Sequence, residues 1–210
     1  MRKRIITLIF MIVAATAAGV QRVAAQPSLA ELADRLKGVN PSLRTFIVDQ
    51  AIDARVLGIF HWRMRATMYA ARPGSYKVII HNPPPLIGRF ADVVGDASSP
   101  EEVLTNYRGA AIRPAPNNRL IVDLLGKDAD VNPPSVVATI DAAHWLVEEL
   151  LLKYSWGEVR VGYRYDTVGG YLLPVTATIE VPRYAISADV TFVNYRLNAQ
   201  IPPGIFEASR

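Results

Sequence analysis

The stretch from Gly157 to Phe206 limits the fold more than any other part of this sequence, because three runs of alternating polarity follow one another there with turn residues between them. In the first, Val159, Val161, Tyr163 and Tyr165 fall on one side, and Glu158, Arg160 and Arg164 on the other. That period of two belongs to a strand with one buried face. After a turn at Asp166 to Gly170, Val175, Ala177, Ile179 and Val181 alternate with Thr176, Thr178 and Glu180. Pro182 and Arg183 turn the chain again, and Tyr184, Ile186, Ala188, Val190 and Phe192 share a side of the third run. The pattern predicts an antiparallel meander with one apolar face, and such a face needs a covering layer.

The N-terminal half repeats the theme. Phe46, Val48, Ile52, Ala54 and Val56 share one face of a run that ends at Gly58, and Phe60, Trp62, Met64, Ala66 and Met68 share a face of the next. After Pro73 and Gly74 come Tyr76, Val78 and Ile80, and the run stops at Pro83 to Pro85, since proline cannot donate to a ladder. Further strands are expected at Leu120, Val122 and Leu124, and at Val136 to Ile140. Trp145 to Trp156 has the composition of either a helix or a strand; it reads better as a strand turning at Lys153 to Gly157. Three short helices are expected around these runs. Ser28 and Glu31 form a capping box ahead of Leu29, Leu32 and Leu36, with Gly38 as the stop. A second carries Leu86, Ile87, Phe90, Val93 and Val94, and a third runs from a cap at Ser99 through Val103 and Tyr107 to a stop at Gly109. Eight or nine antiparallel strands in one sheet of this length would curl toward a barrel.

The first 25 residues read as a secretory signal peptide. Arg2 to Arg4 is a positive start, Ile5 to Val20 is apolar, and Val23 to Ala25 fits a small-residue cleavage site before Gln26. Residues 26–210 then form a single exported domain, expected in the periplasm if the source is a bacterium. The formal charge of +4 belongs to that leader: four of the 23 Lys and Arg are Arg2, Lys3, Arg4 and Arg22, leaving 19 against 19 Asp and Glu. A balanced mature chain removes the electrostatic case for nucleic acid. With no cysteine, neither a disulfide nor a thiolate site is available.

Enzymatic signatures are sparse. The histidines are His61, His81 and His144, the first two on the polar side of their strands, and the chain has no nucleophile elbow, P-loop or His-Glu-x-x-His. Asp128 and Asp130 precede Pro133 and Pro134, which suits a polar loop better than a cation site. No cofactor and no metal are expected. What stands out is the size of the inward side chains: Phe46, Phe60, Trp62, Met64, Met68, Tyr76, Tyr163, Tyr165 and Phe192. They can fill a core, or they can line an apolar pocket roofed by short helices, the usual form of an acyl-chain site. On the pocket reading the lining is Phe46, Val48, Ile52, Phe60, Trp62, Met64, Met68, Tyr76, Val78, Leu120, Val122, Val159, Val161, Tyr163 and Phe192; Leu29, Leu32, Leu36, Leu86, Ile87 and Phe90 form the lid.

Several motifs together resemble the outer-membrane lipoprotein-sorting proteins, the group of periplasmic lipoprotein carriers. They are the opening helix Leu29 to Leu36, the strand start Pro73 to Lys77, the segment Gly169 to Pro174, and the close on Phe192, Asn194, Tyr195, Asn198, Ile201, Pro202 and Phe206. The resemblance covers most of Pro27 to Phe206. It implies an α+β fold, mainly antiparallel β, shaped as a strongly curved, unclosed β-barrel with an α-helical lid over its concave face. It also implies a monomeric, non-enzymatic protein that takes up lipid or lipoprotein acyl chains, with a possible inner- or outer-membrane partner protein. A regulatory sensor module on the same scaffold is the alternative. A membrane barrel is opposed by the internal helices and the charged outer strand faces, and a hydrolase would have to rest on one of the three histidines.

Overall fold

The computed structural model describes residues 27–72, 74–81, 83, 107–128 and 131–207. Helix α1 (Leu29–Lys37) is followed by ten strands: β1 (Thr45–Val56), β2 (Phe60–Ala71), β3 (Ser75–His81), β4 (Tyr107–Ala115), β5 (Arg119–Gly126), β6 (Ser135–Asp141), β7 (Leu146–Tyr154), β8 (Gly157–Val168), β9 (Tyr171–Val181) and β10 (Ile186–Leu197). All pair antiparallel in one sheet of order β3-β2-β1-β10-β9-β8-β7-β6-β5-β4. The first and last strands meet, Ile52 opposite Val190 and Ala54 opposite Ala188, and this joins a three-stranded meander to a seven-stranded one. Strands β3 and β4 are the two edges, so the sheet curls without closing.

Parity decides what is inside. Val48, Val122, Leu124, Val136, Ile140, Leu150, Val159 and Val161 are at most 1% exposed, each on the inward side of its strand. The outward side carries the charges, several of them paired: Arg113 with Asp123 at 2.9 Å, Arg119 with Glu148 at 2.5 Å, and Arg160 between Glu149 and Glu180. Such exposed pairs add at most about 1 kcal/mol each, so the apolar side holds the sheet together. Turn chemistry sets the register at the ends. Gly169 (φ 58°) and Gly170 (φ 85°) form the two-residue turn between Val168 and Tyr171, the left-handed pair that matches strand twist.

Helix α1 begins as its sequence dictates, with the Glu31 N–H donating to Ser28 Oγ at 3.1 Å. Leu32 and Leu36 are buried against the concave side. Leu29 lies so close to β4 that a Cβ on Gly109 would meet its Cδ2 at 3.1 Å. That contact corrects one expectation. Tyr107 and Gly109 do not close a helix; they open β4, where the Tyr107 hydroxyl donates to the Pro133 carbonyl at 2.6 Å and Gly109 makes room for Leu29. The strand escaped notice because Ala110, Ala111 and Pro114 break the alternation, with a register shift between Gly109 and Ala111. Pro114 is tolerated because β4 is an edge. The sheet therefore has ten strands rather than eight or nine. The expected helix on Leu86, Ile87 and Phe90, and the rest of the one before Tyr107, lie outside the described residues.

Candidate functional site

At one end of the curled sheet an apolar cavity of about 90 Å³ lies between α1 and the concave face. Leu36 comes from the helix, Phe46 from β1, Met68 and Ala70 from β2, Trp145 from the turn before β7, and Phe192 from β10. Phe46, Met68 and Phe192 are thus the predicted strand residues that the cavity brings together, under the predicted lid residue Leu36. Val48, Ile52, Met64, Val122, Val159, Val161 and Tyr163 lie in the packed core, and Trp62, Tyr76, Val78 and Leu120 are partly buried against it. The packing places Leu32 in that core and Leu29 at its margin. Phe60 is displaced outright: it sits at the far end of the β1–β2 hairpin and is 50% exposed, because the strand runs past the edge of the core. The cavity thus lies at one end of the concave face.

Three wall residues that sequence reasoning missed are Tyr195, Trp145 and Asn40. Tyr195 turns inward because β10 carries a bulge there: Ile47 faces Arg196 but Asp49 faces Val193, and Asn194 takes a left-handed φ of 56°. Asparagine accepts that conformation at small cost, so an asparagine breaking an alternating run is a usable signal for such a bulge. The re-aimed ring lies 6.0 Å from Phe46 and donates its hydroxyl to the Pro174 carbonyl at 2.6 Å. Burial pushes both the Tyr195 and the Tyr163 phenol far above the ordinary range, so both are neutral, Tyr195 in the cavity wall and Tyr163 in the packed core. The third is Asn40, which looks like an unremarkable loop residue in the sequence.

Asn40 is 8% exposed and ties the segment after α1 to the start of β9. Its Nδ2 donates to the Leu172 carbonyl at 2.9 Å, while its Oδ1 accepts from the Leu172 N–H at 3.0 Å. From the other side Arg72 donates to the Asn40 carbonyl at 2.8 Å and to the Lys37 carbonyl at 3.4 Å. Together they latch the C-terminal end of α1 over the cavity. Replacing Asn40 by alanine leaves both backbone groups of Leu172 without their partners, a loss of about 1–3 kcal/mol. Urea denaturation should show that loss, and amide exchange should show α1 opening more often than the strands.

The turn that carries Trp145 is held by Asp141. Its carboxylate accepts from the Ala143 N–H at 2.8 Å and meets His144 Nδ1 at 2.6 Å, and Arg35 of α1 lies 4.4 Å over the Trp145 ring. Burial alone would raise the Asp141 pKa, but the His144 and Ala143 hydrogen bonds outweigh it and hold the carboxyl below its ordinary 3.8. A depressed folded-state pKa contributes stability that is present above the unfolded value and lost as the pH falls through the folded one. The thermal midpoint should therefore drop by a few degrees as the pH falls below about 4, and Asp141→Asn should flatten part of that acid limb. The other histidines are engaged as well, His61 with Asp53 and His81 with Thr67 Oγ1 at 2.9 Å. Among the described residues no three His, Asp or Glu side chains cluster to hold a metal ion.

No protein-family model matches the sequence, and no curated protein does. Solved structures do match by shape. The LolA superfamily protein NE2245 from Nitrosomonas europaea superposes with a TM-score of 0.67 at 13% identity, over 87% of this chain and 98% of that one. The fold is LolA-like. A DUF1329 family protein from Desulfovibrio piger follows at 0.65 and 12%, over 86% and 96%. A domain from Vibrio parahaemolyticus, described as an outer membrane lipoprotein-sorting protein, gives 0.61 and 11% over the same shares. Identities this low carry the fold alone, and the curled unclosed sheet is consistent with it.

Proposed function

We propose that this chain is a non-enzymatic periplasmic carrier that takes up acyl chains, of lipoproteins or of other lipids, for transport toward the outer membrane. The observation that supports it best is the apolar cavity between α1 and the concave face of a LolA-like sheet, walled by Leu36, Phe46, Met68, Trp145 and Phe192. About 90 Å³ falls below the ~300–1,000 Å³ of common ligand pockets, so the closed form admits a chain end and a whole chain needs α1 to swing out. Its latch is suited to that, because among the described residues it is built from the Asn40 and Arg72 side chains and their hydrogen bonds to Leu172, Asn40 and Lys37 backbone groups. A chain of ~14 carbons at about 0.8 kcal/mol per methylene supplies on the order of 10 kcal/mol before ordering costs, which exceeds the cost of breaking such a latch.

The chain acts as a monomer, processed before Gln26 and exported, with an inner- or outer-membrane protein as donor or acceptor. The test is mass spectrometry of lipid extracted from protein purified without detergent, paired with titration by a fluorescent fatty acid. Co-purified acyl lipid and low-micromolar binding are the expected results. A lipid-free protein that ignores the probe overturns the carrier reading and leaves the sensor module as the better account of the scaffold.

A further inference from the structure

The end of the sheet opposite the cavity carries a second apolar surface. Antiparallel topology puts the β1–β2, β7–β8 and β9–β10 turns at that end, and the β2–β3, β6–β7 and β8–β9 turns at the cavity end. At the first of these turns Leu57 is 59% exposed, Ile59 77% and Phe60 50%. The three adjoin Tyr184, 39% exposed, through a 2.9 Å bond from the Leu57 N–H to the Ala185 carbonyl. Tyr184 in turn lies 5.7 Å from Trp156, which stacks on Tyr154 at 4.8 Å. Three turns thus form an apolar and aromatic rim in which Leu57, Ile59, Phe60 and Tyr184 are exposed, with half-buried Trp156 and buried Tyr154 behind them. Leu57 holds a left-handed φ of 54°, a conformation that suits asparagine or glycine far better than leucine. A branched apolar side chain is thus displayed where local backbone preference argues against it.

The charges around the rim say what would cover it. Asp53 is held by His61 and Arg63, Glu180 by Arg160, and Glu158 faces Lys153 across the ladder, which leaves the exposed Asp189, opposite Asp53, without an ion pair among the described residues, against two arginines. Arg55 and Arg183 make no ion pair among the described residues; Arg183 donates to the Trp156 carbonyl and lies 6.0 Å over the Tyr184 ring. Aliphatic side chains at a projecting tip, aromatic rings behind them and guanidinium groups at their flanks are the ordered set that a membrane interface selects. A second copy of this chain would set those arginines against each other. We propose that this rim docks the protein on an anionic phospholipid surface, with Leu57, Ile59 and Phe60 dipping among the headgroups.

Sedimentation with phospholipid vesicles tests it, using the chain processed before Gln26 so that the apolar leader contributes nothing. Wild type should co-sediment with phosphatidylcholine vesicles containing phosphatidylglycerol and far less with phosphatidylcholine alone. Leu57→Ser with Ile59→Ser should weaken binding roughly tenfold or more, since two apolar side chains lose their insertion. Arg55→Gln with Arg183→Gln should weaken it and lessen its salt dependence. All four positions are exposed, and unchanged thermal midpoints would confirm that folding is intact. A wild type that stays in the supernatant, or serine variants that bind as well as wild type, overturn the proposal. So does a dimer in solution that the serine variants dissolve. A variant that fills the cavity, Ala70→Phe, should leave vesicle binding untouched, which separates this surface from the carrier site.

Discussion

Replacing Val161 by aspartate is expected to leave the protein unfolded at room temperature. Val161 is 1% exposed at the middle of β8, between Leu150 of β7, which is 0% exposed, and Ile179 of β9 at 6%. No described partner stands near enough to neutralise a carboxylate there, and either an ionised or a protonated carboxyl would sit among methyl groups. The cost is on the order of 5 kcal/mol, much of what holds a domain of this size together. Val161→Ala removes two methyl groups and should cost only about 2 kcal/mol. Urea denaturation followed by far-ultraviolet circular dichroism reads both. The pair also maps where the hollow ends: a Val161→Asp protein that stays folded would mean that solvent or ligand space reaches under β8, away from the end where the cavity lies.

The strands were legible because one physical constraint, burial of a single face, writes itself into every second residue. Val159 to Tyr165 and Phe60 to Met68 could hardly be anything else, and the ambiguous Leu146–Tyr154 became a strand once the lysine-to-glycine turn after it was weighed. What could not be read was whatever depends on residues far apart in the chain. Asn40 acquires its role only because Leu172 lies beside it, and Trp145 reaches the cavity only because the β6–β7 turn folds back on α1. Gln50 shows the limit from the other side. It breaks the apolar series Val48, Ile52, Ala54 yet stays on the inward face, 2% exposed, with its Nε2 donating to Met68 Sδ at 3.8 Å and its Oε1 unpaired. A single polar residue in a run is compatible with either a bulge or a buried amide, and only the register chooses between them.

Parity alone does not say which of the inward residues line the cavity. Nearly every inward side chain is apolar in the sequence, but a curled sheet brings many of them within packing distance of one another. Space survives only where small residues face large ones that stand off. Ala70 is such a place: it lies between Phe46 and Tyr76 in the register, lines the cavity, and adds almost no volume of its own.

Ala70→Phe should therefore weaken acyl-chain binding strongly while leaving the fold intact. A phenyl group at this position points into the empty space beside Leu36, Phe46 and Met68, where it takes up the volume that the first methylenes of a ligand would use. Filling an existing cavity with an apolar group recovers dispersion contacts, so the thermal midpoint should hold or rise slightly, in contrast with overpacking a full core, which costs about 1–3 kcal/mol. Affinity for a fluorescent fatty acid should fall by about a hundredfold if three or four methylenes lose their burial at roughly 0.8 kcal/mol each. Two results would count against the site. Undiminished binding by a stably folded Ala70→Phe protein would move the ligand elsewhere on the sheet, and a loss of stability near the overpacking range would show that the space beside Ala70 is already occupied when the protein is in solution. The Asn40→Ala protein supplies the converse: with the latch loosened and the apolar walls at Phe46, Met68 and Phe192 unchanged, uptake of the probe should be faster at similar affinity, because the helix opens more often while those walls stay in place.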